Sequence, residues 1–191
     1  MSAIDSAPPE GLSVAIIGSF RQHYDAVLEC IGTFVEHGVR VTSPKRSRVI
    51  DPSQDFVRFE LDDPSSSDVE IQYQALVAIL RASCVFVVCP DGYVGRTTCY
   101  EIGRAHQATI PIFYSAMPRD LPIPVPSSSV MSAEDLGLAM ADSSSVPVID
   151  TSDISQRIKQ HLLELLIIGL QRSNATRESH AISHERARSL H

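Results

Sequence analysis

Three short apolar runs, "SVAIIG" (Ser13 to Gly18), "CVFVVCP" (Cys84 to Pro90) and "IPIFYS" (Ile110 to Ser115), most constrain what this chain can fold into. Runs this short and this uniformly apolar read as strands buried on both faces, because a strand with one wet face would alternate in polarity. Between them the spacing turns helical. From Gln22 to His37, Ala26, Val27, Ile31, Phe34 and Val35 recur on one face, Gly38 supplies a stop, and "VRVTS" follows as a further strand. From Asp68 to Ala82, with Asp68 as N-cap, Ile71, Ala75, Leu76, Ile79 and Leu80 form an apolar stripe. A helix running to about Ala108 separates the last two strands. Strand and helix alternate with short connections, which predicts an α/β fold: a Rossmann-like open, mainly parallel sheet flanked by helices.

The remaining segments are less regular. Residues Pro44 to Ser67 are polar and mixed in charge and read mainly as loop, with a short strand possible around Phe56 to Leu61. Pro118 to Pro126 holds four prolines and reads as an extended connection, and Ala133 to Met140 reads as a short helix capped by Ser132. A last helix over 152–172, capped by Asp153, carries Ile154, Ile158, Leu162, Leu165, Leu166 and Ile168. Its end, "LLELLIIGL", is apolar around too much of its circumference for one narrow contact, so packing on the core and on another subunit is expected, making a homodimer or higher oligomer. The expected organisation is a flexible leader over 1–12, one α/β domain over 13–172, and a disordered tail over 173–191.

A length of 191 residues suits one domain, and a formal net charge of -7 disfavours a nucleic-acid polymer or an anionic membrane as partner. No apolar run approaches the roughly 20 residues of a membrane span, so a cytoplasmic protein is expected. The four cysteines, Cys30, Cys84, Cys89 and Cys99, fit neither a zinc pattern nor a disulfide framework and read as reduced, mostly packed thiols. Three of the seven histidines fall in the last twelve residues, where a disordered tail is the expected reading. No metal and no cofactor are expected.

In a doubly wound sheet, ligands bind beyond the carboxyl ends of the strands, where two segments should meet. One is "GSFRQHYD" after the first strand. Gly18 allows close backbone approach, Ser19 offers a hydroxyl and Arg21 a fork of donors at a helix start, a combination suited to a phosphate or sugar hydroxyl. A tight turn with a solvated Arg explains the same residues. The other segment is "PDGYVGRTTCYEIG". Asp91 and Gly92 form its turn, Gly95 gives a further close approach, and Thr97 or Thr98 can cap the helix carrying Glu101. Glu101 is either a capping-box partner of Thr98 or a carboxylate facing the crevice. Phe20, His23, Tyr24 and Tyr93 are near enough to line a pocket, and Lys45 and Arg46 after the second strand could help hold a phosphate.

"GSFR" after the first strand together with "GYVGRTTCYEIGRA" after the third resembles the nucleoside 2-deoxyribosyltransferase superfamily, including its nucleoside 5'-monophosphate N-glycosidases, over roughly Ser13 to Ser115. The resemblance implies that Glu101 is a nucleophile that attacks the anomeric carbon, and that the first loop, with Ser19 and Arg21, binds a 5'-phosphate. It also implies that the segment around Ser128 reaches a neighbouring subunit's site. Members of that family carry an Asp on the helix before the third strand, whereas this chain has Gln72, Tyr73 and Gln74 there. Asp91, Asp62 or Asp63 could substitute, with Asp91 on the crevice loop the best placed.

The expected activity is cleavage of the N-glycosidic bond of a nucleoside 5'-monophosphate, with transfer to water or to another base. The alternatives are a non-catalytic nucleotide-binding sensor of the same fold and a transferase attaching an unusual sugar phosphate to a base. A dehydrogenase is disfavoured, because no glycine-rich dinucleotide turn is present and "VTSPKRSR" is basic where an acid would be needed.

Overall fold

The computed structural model describes residues 11–44, 50, 58 and 60–171. Strand β1 (Ser13–Gly18) leads into α1 (Phe20–Glu36) and β2 (Arg40–Ser43); α2 (Asp68–Leu80), β3 (Cys84–Val88), α3 (Arg96–Gln107) and β4 (Ile112–Tyr114) follow. A 3-10 turn at Ser127–Ser129 and α4 (Ala133–Ser143) complete this unit. The four strands form one parallel sheet in the order β2-β1-β3-β4. The α/β expectation therefore holds at the level of an all-parallel sheet covered by helices.

Alternation along each strand builds a core on both faces. Val14 and Ile16 of β1, with Cys84, Phe86 and Val88 of β3, pack against Val27, Ile31 and Phe34 of α1 and Leu136 and Met140 of α4. Ala15 and Ile17, with Val85 and Val87, face Leu76 and Ile79 of α2 and Ile102 and Ala105 of α3. Phe34 and Phe86 meet edge to face with ring centroids 5.3 Å apart, a geometry that suits the aromatic quadrupole. Each such fully buried side chain contributes about 1.5–3 kcal/mol of transfer free energy, so the uniformly apolar strands are what hold the three layers together.

Helix ends differ from the expected ones for local reasons. The N-cap of α2 is Ser67, not Asp68. Its hydroxyl accepts from the Glu70 N–H at 3.3 Å, while the Glu70 carboxylate accepts from the Ser67 N–H at 2.7 Å, a reciprocal capping box. Helix α3 begins one residue before the threonines, with Gly95 at the N-cap and no side-chain cap. Ser132 does cap α4, accepting from the Asp135 N–H at 3.0 Å.

A second compact unit begins at Ile154. Within it residues 156–171 form a helix, α5. Its first turn is capped by Ser155, whose hydroxyl accepts from the Ile158 N–H at 3.4 Å; the expected cap, Asp153, instead accepts from the N–H and hydroxyl of Ser127. Ile158, Leu163, Leu165, Ile167, Ile168 and Leu170 of α5 are exposed. The expected leader through Glu10, the segment around Phe56 and Val57, and the tail from Arg172 lie outside the described residues. Among the described residues no helix is long and apolar enough to cross a membrane.

Candidate functional site

The chain leaves β1 toward β2 on one side and leaves β3 toward β4 on the other, so the carboxyl ends of the adjacent strands β1 and β3 bound a crevice. A cavity of about 640 Å³ opens there, within the usual range of small-molecule sites. Gly18, Ser19, Phe20 and Arg21 line it from the turn into α1, and Tyr93, Gly95, Arg96, Thr97, Thr98 and Glu101 from the turn into α3. Thr42, Ser43 and Pro44 close the β2 end, Leu61, Asp62 and Asp63 come from the loop before α2, and α2 contributes Ile71, Gln72, Gln74, Ala75 and Ala78.

Glu101 is 7 % exposed, one of the few polar side chains in the interior. Its position on α3 explains why. Thr98, Glu101, Ile102 and Ala105 are the buried residues of that helix, at the i, i+3, i+4, i+7 spacing of a core-facing stripe. The carboxylate thus occupies a core position on α3 where an apolar residue would ordinarily sit. It is not a capping-box partner: Oε1 accepts from Nε2 of Gln72 at 3.0 Å, and among the described residues Glu101 makes no other side-chain hydrogen bond. Burial pushes its carboxyl up to about 7, against the opposing pull of the Gln72 amide. A group poised there is exchangeable between anion and acid near neutral pH, as nucleophilic and acid/base carboxylates require.

The turn glycines have structural reasons of their own. A Cβ on Gly18 would lie 2.7 Å from the Val88 carbonyl oxygen, so close β1–β3 packing demands glycine there before any ligand does. Gly92 has a φ of 78°, and a Cβ there would stand 2.8 Å from the Met117 carbonyl oxygen. Gly95 has room for a Cβ and extended backbone as the N-cap.

Several expected site residues lie elsewhere. Asp91, singled out as acid/base, is not in the cavity lining. Its carboxylate accepts from the Tyr93 N–H at 3.0 Å, which with the nearby His23 ring holds it below the usual carboxylate range. His23, at a non-helical break inside α1 (φ -127°), brings Nε2 to 3.3 Å from Asp91 Oδ1 without hydrogen-bond alignment. That contact is best described as electrostatic. His23, Tyr24 and Gly92 do not line the cavity, and Ser128 donates its hydroxyl to the Asp150 carbonyl at 2.8 Å, away from the lining. Lys45 and Arg46 lie outside the described residues.

The acids named as substitutes fare differently. Asp62 and Asp63 both line the cavity, but Asp63 accepts from the hydroxyl and the N–H of Ser65 at 2.7 and 2.9 Å, which lowers its pKa and ties it into a turn. Asp62 is half-buried. Arg96 and the apolar wall from α2 had no mark in sequence, since a helix start and a core stripe look the same whether or not a cavity opens beside them. The i, i+3, i+4, i+7 set around Glu101 was such a mark.

The cysteines are held as neutral thiols. All four are free; burial pushes Cys30 up to about 11 and Cys84 up to about 12, and raises Cys89 and Cys99. Among the described residues no three His, Cys, Asp or Glu side chains are grouped to hold a metal ion.

Comparison with protein-family models, with curated proteins and with solved structures found no match to this chain.

Proposed function

We propose that this protein cleaves the N-glycosidic bond of a nucleoside 5'-monophosphate, with Glu101 forming a glycosyl-enzyme intermediate that passes the sugar phosphate to water or to another base. The observation that carries this reading is a buried carboxylate with a raised pKa, in the same cavity as a serine and an arginine at a helix N-terminus. Anion binding suits the Ser19 and Arg21 end, because the start of α1 presents the positive end of the helix dipole there. A sugar held by its phosphate at that end would bring its anomeric carbon to a fixed place in the lining, and fixed approach is what makes a carboxylate an effective nucleophile.

In the first step a Glu101 oxygen bonds to the anomeric carbon as the carbon–nitrogen bond breaks through an oxocarbenium-like state, its electron pair going to the base. We assign protonation of the departing base to Asp62, the half-buried carboxyl group in the same lining. In hydrolysis a water then attacks the anomeric carbon, losing its proton to Asp62 and releasing the Glu101 carboxylate and the sugar phosphate. An acceptor base in place of water gives transfer. Tyr93 is the lining aromatic suited to stack on the base, with Phe20 beside the phosphate end.

Chromatography of ribo- and deoxyribonucleoside monophosphates, and of the matching nucleosides, after incubation with the protein tests this. Free base is expected from monophosphates in preference to nucleosides. Glu101→Ala should lower the rate by at least about 1000-fold, and Asp62→Asn by about 100-fold. A nucleotide that raises the melting temperature with no base released, with or without acceptor base, would replace this reading with that of a nucleotide-binding sensor.

A further inference from the structure

We propose that Gln72 is a positioning residue for Glu101: its amide nitrogen, reaching from α2 to α3, fixes Oε1 and so reserves Oε2 as the oxygen that bonds to the sugar carbon. The inference rests on the glycosidic reading of the site. It starts from two facts of geometry. Gln72 and Glu101 are 29 residues apart and on different helices, yet meet at 3.0 Å in a part-buried setting where each lines the same cavity. Glu101 has no second side-chain hydrogen bond among the described residues, so this single bond decides which way the carboxylate plane turns.

The chemistry of the donor matters as much as its position. An amide N–H favours the ionised carboxylate without adding charge, and the nucleophilic step needs the anion. An acid at position 72 would act in the opposite sense, since two carboxyl groups in contact cannot both ionise readily. The glutamine is therefore suited to serve a lone buried nucleophile, with proton transfer to the base assigned to a different wall of the cavity.

Among the described residues, the other charged or titratable groups around this cavity are Arg21 at the start of α1, Asp62 and Asp63 before α2, and Tyr93 and Arg96 at the entry to α3. Gln74 from α2, Thr42 and Ser43 from β2, and Thr97 and Thr98 from α3 are neutral, and β1 contributes no ionisable group. Among the described residues, burial, which raises it, and the Gln72 amide, which lowers it, are the influences on the pKa of Glu101.

The test uses the full chain with Gln72→Met, which keeps the shape and removes the donor, and Gln72→Glu, which keeps the reach and adds charge. Each is made with Glu101 present and with Glu101→Gln. The pH dependence of the stability difference between each protein and its Glu101→Gln counterpart reports the Glu101 titration without any turnover. Its midpoint is expected to rise by about one pH unit in Gln72→Met and further in Gln72→Glu. The lower limb of the kcat profile should move by the same amount, kcat on the plateau should fall about tenfold, and KM should stay within about twofold.

An unmoved midpoint in Gln72→Met overturns the proposal and leaves Gln72 as cavity wall. If the midpoint moves but the wild type releases no base, Gln72 still holds Glu101, while the glycosidic reading and the catalytic purpose given to the pair both fall. Should Gln72→Met not fold, the same two readouts from Gln72→Ala, which also removes the donor without adding charge, decide the matter.

Discussion

Glu101 costs this fold stability at the pH where it would work. Its folded pKa of about 7 lies above that of an exposed glutamate, so the folded protein binds the proton more tightly than the unfolded chain does. The proton's stabilising contribution is complete below the unfolded value, declines as pH rises, and is lost once pH passes about 7. The difference amounts to about 3 kcal/mol above pH 8. Glu101→Gln should therefore raise the melting temperature by several degrees at pH 8 and by little at pH 4, in calorimetry across that range, while abolishing turnover. An equal effect at both pH values would mean that the carboxyl group is not desolvated. Gly18 makes the opposite case at this scale. Gly18→Ala should destabilise by roughly 2 kcal/mol or more in urea denaturation, because the Val88 carbonyl that its Cβ would meet belongs to the adjoining central strand and cannot step aside.

At the scale of elements, α2 carries two tasks. Its stripe of Ile71, Leu76 and Ile79 is buried, and the same helix lends Gln72 and Ala75 to the cavity. Its placement along the sheet depends on its first turn, where the Ser67–Glu70 capping box is joined by Arg58, which donates to the Asp68 carboxylate at 2.8 Å and to the Ser66 carbonyl at 2.9 Å. These bonds tie the loop bearing Asp62 to the helix bearing Gln72. Ser67→Ala is expected to lower the melting temperature by roughly 2–4 °C, and Arg58→Ala to weaken nucleotide binding more than it lowers stability. Titration calorimetry alongside thermal melts separates the two effects. Equal nucleotide affinity in wild type and Arg58→Ala would show that the loop is held by other means.

At the scale of the whole molecule, the parallel sheet explains where chemistry can occur. Connections diverge beyond the ends of β1 and β3, so the cavity follows from strand order rather than from any single motif. The exposed apolar residues of α5 stand around its circumference, and self-association is the use expected of them. Sedimentation at micromolar concentration should give a species of at least two chains, reduced to one by Leu165→Glu. A monomeric wild type would leave those side chains without a purpose in solution.

Strand and helix identities were open to reading from sequence because they depend on neighbours in the chain. Uniformly apolar runs become strands of a parallel sheet, β1 and β3 inside it and β4 at the end of the order, and Thr98, Glu101, Ile102 and Ala105 repeat at helical spacing whatever lies opposite them. Glu101 and the turn holding Ser19 and Arg21 could be singled out because each follows a strand whose carboxyl end bounds the expected crevice. What sequence could not reveal depends on distance in space. Asp91 sits on the loop after β3, but its carboxylate accepts from the Tyr93 N–H and does not line the cavity; Asp62 arrives from a loop with no regular pattern. The choice between a capped and a buried Glu101 was decided by where α3 begins, with Gly95 as N-cap and Thr98 already inside the helix; the buried carboxylate then pairs with Gln72, 29 positions away, whose amide meets it only when two helices lie side by side on the sheet. Local pattern determines which elements form and which face each presents, since both follow from backbone periodicity. Which polar groups are then paired, and which carboxyl is stripped of water, was decided by the tertiary structure, because desolvation and hydrogen bonding depend on what packing brings within about 3 Å.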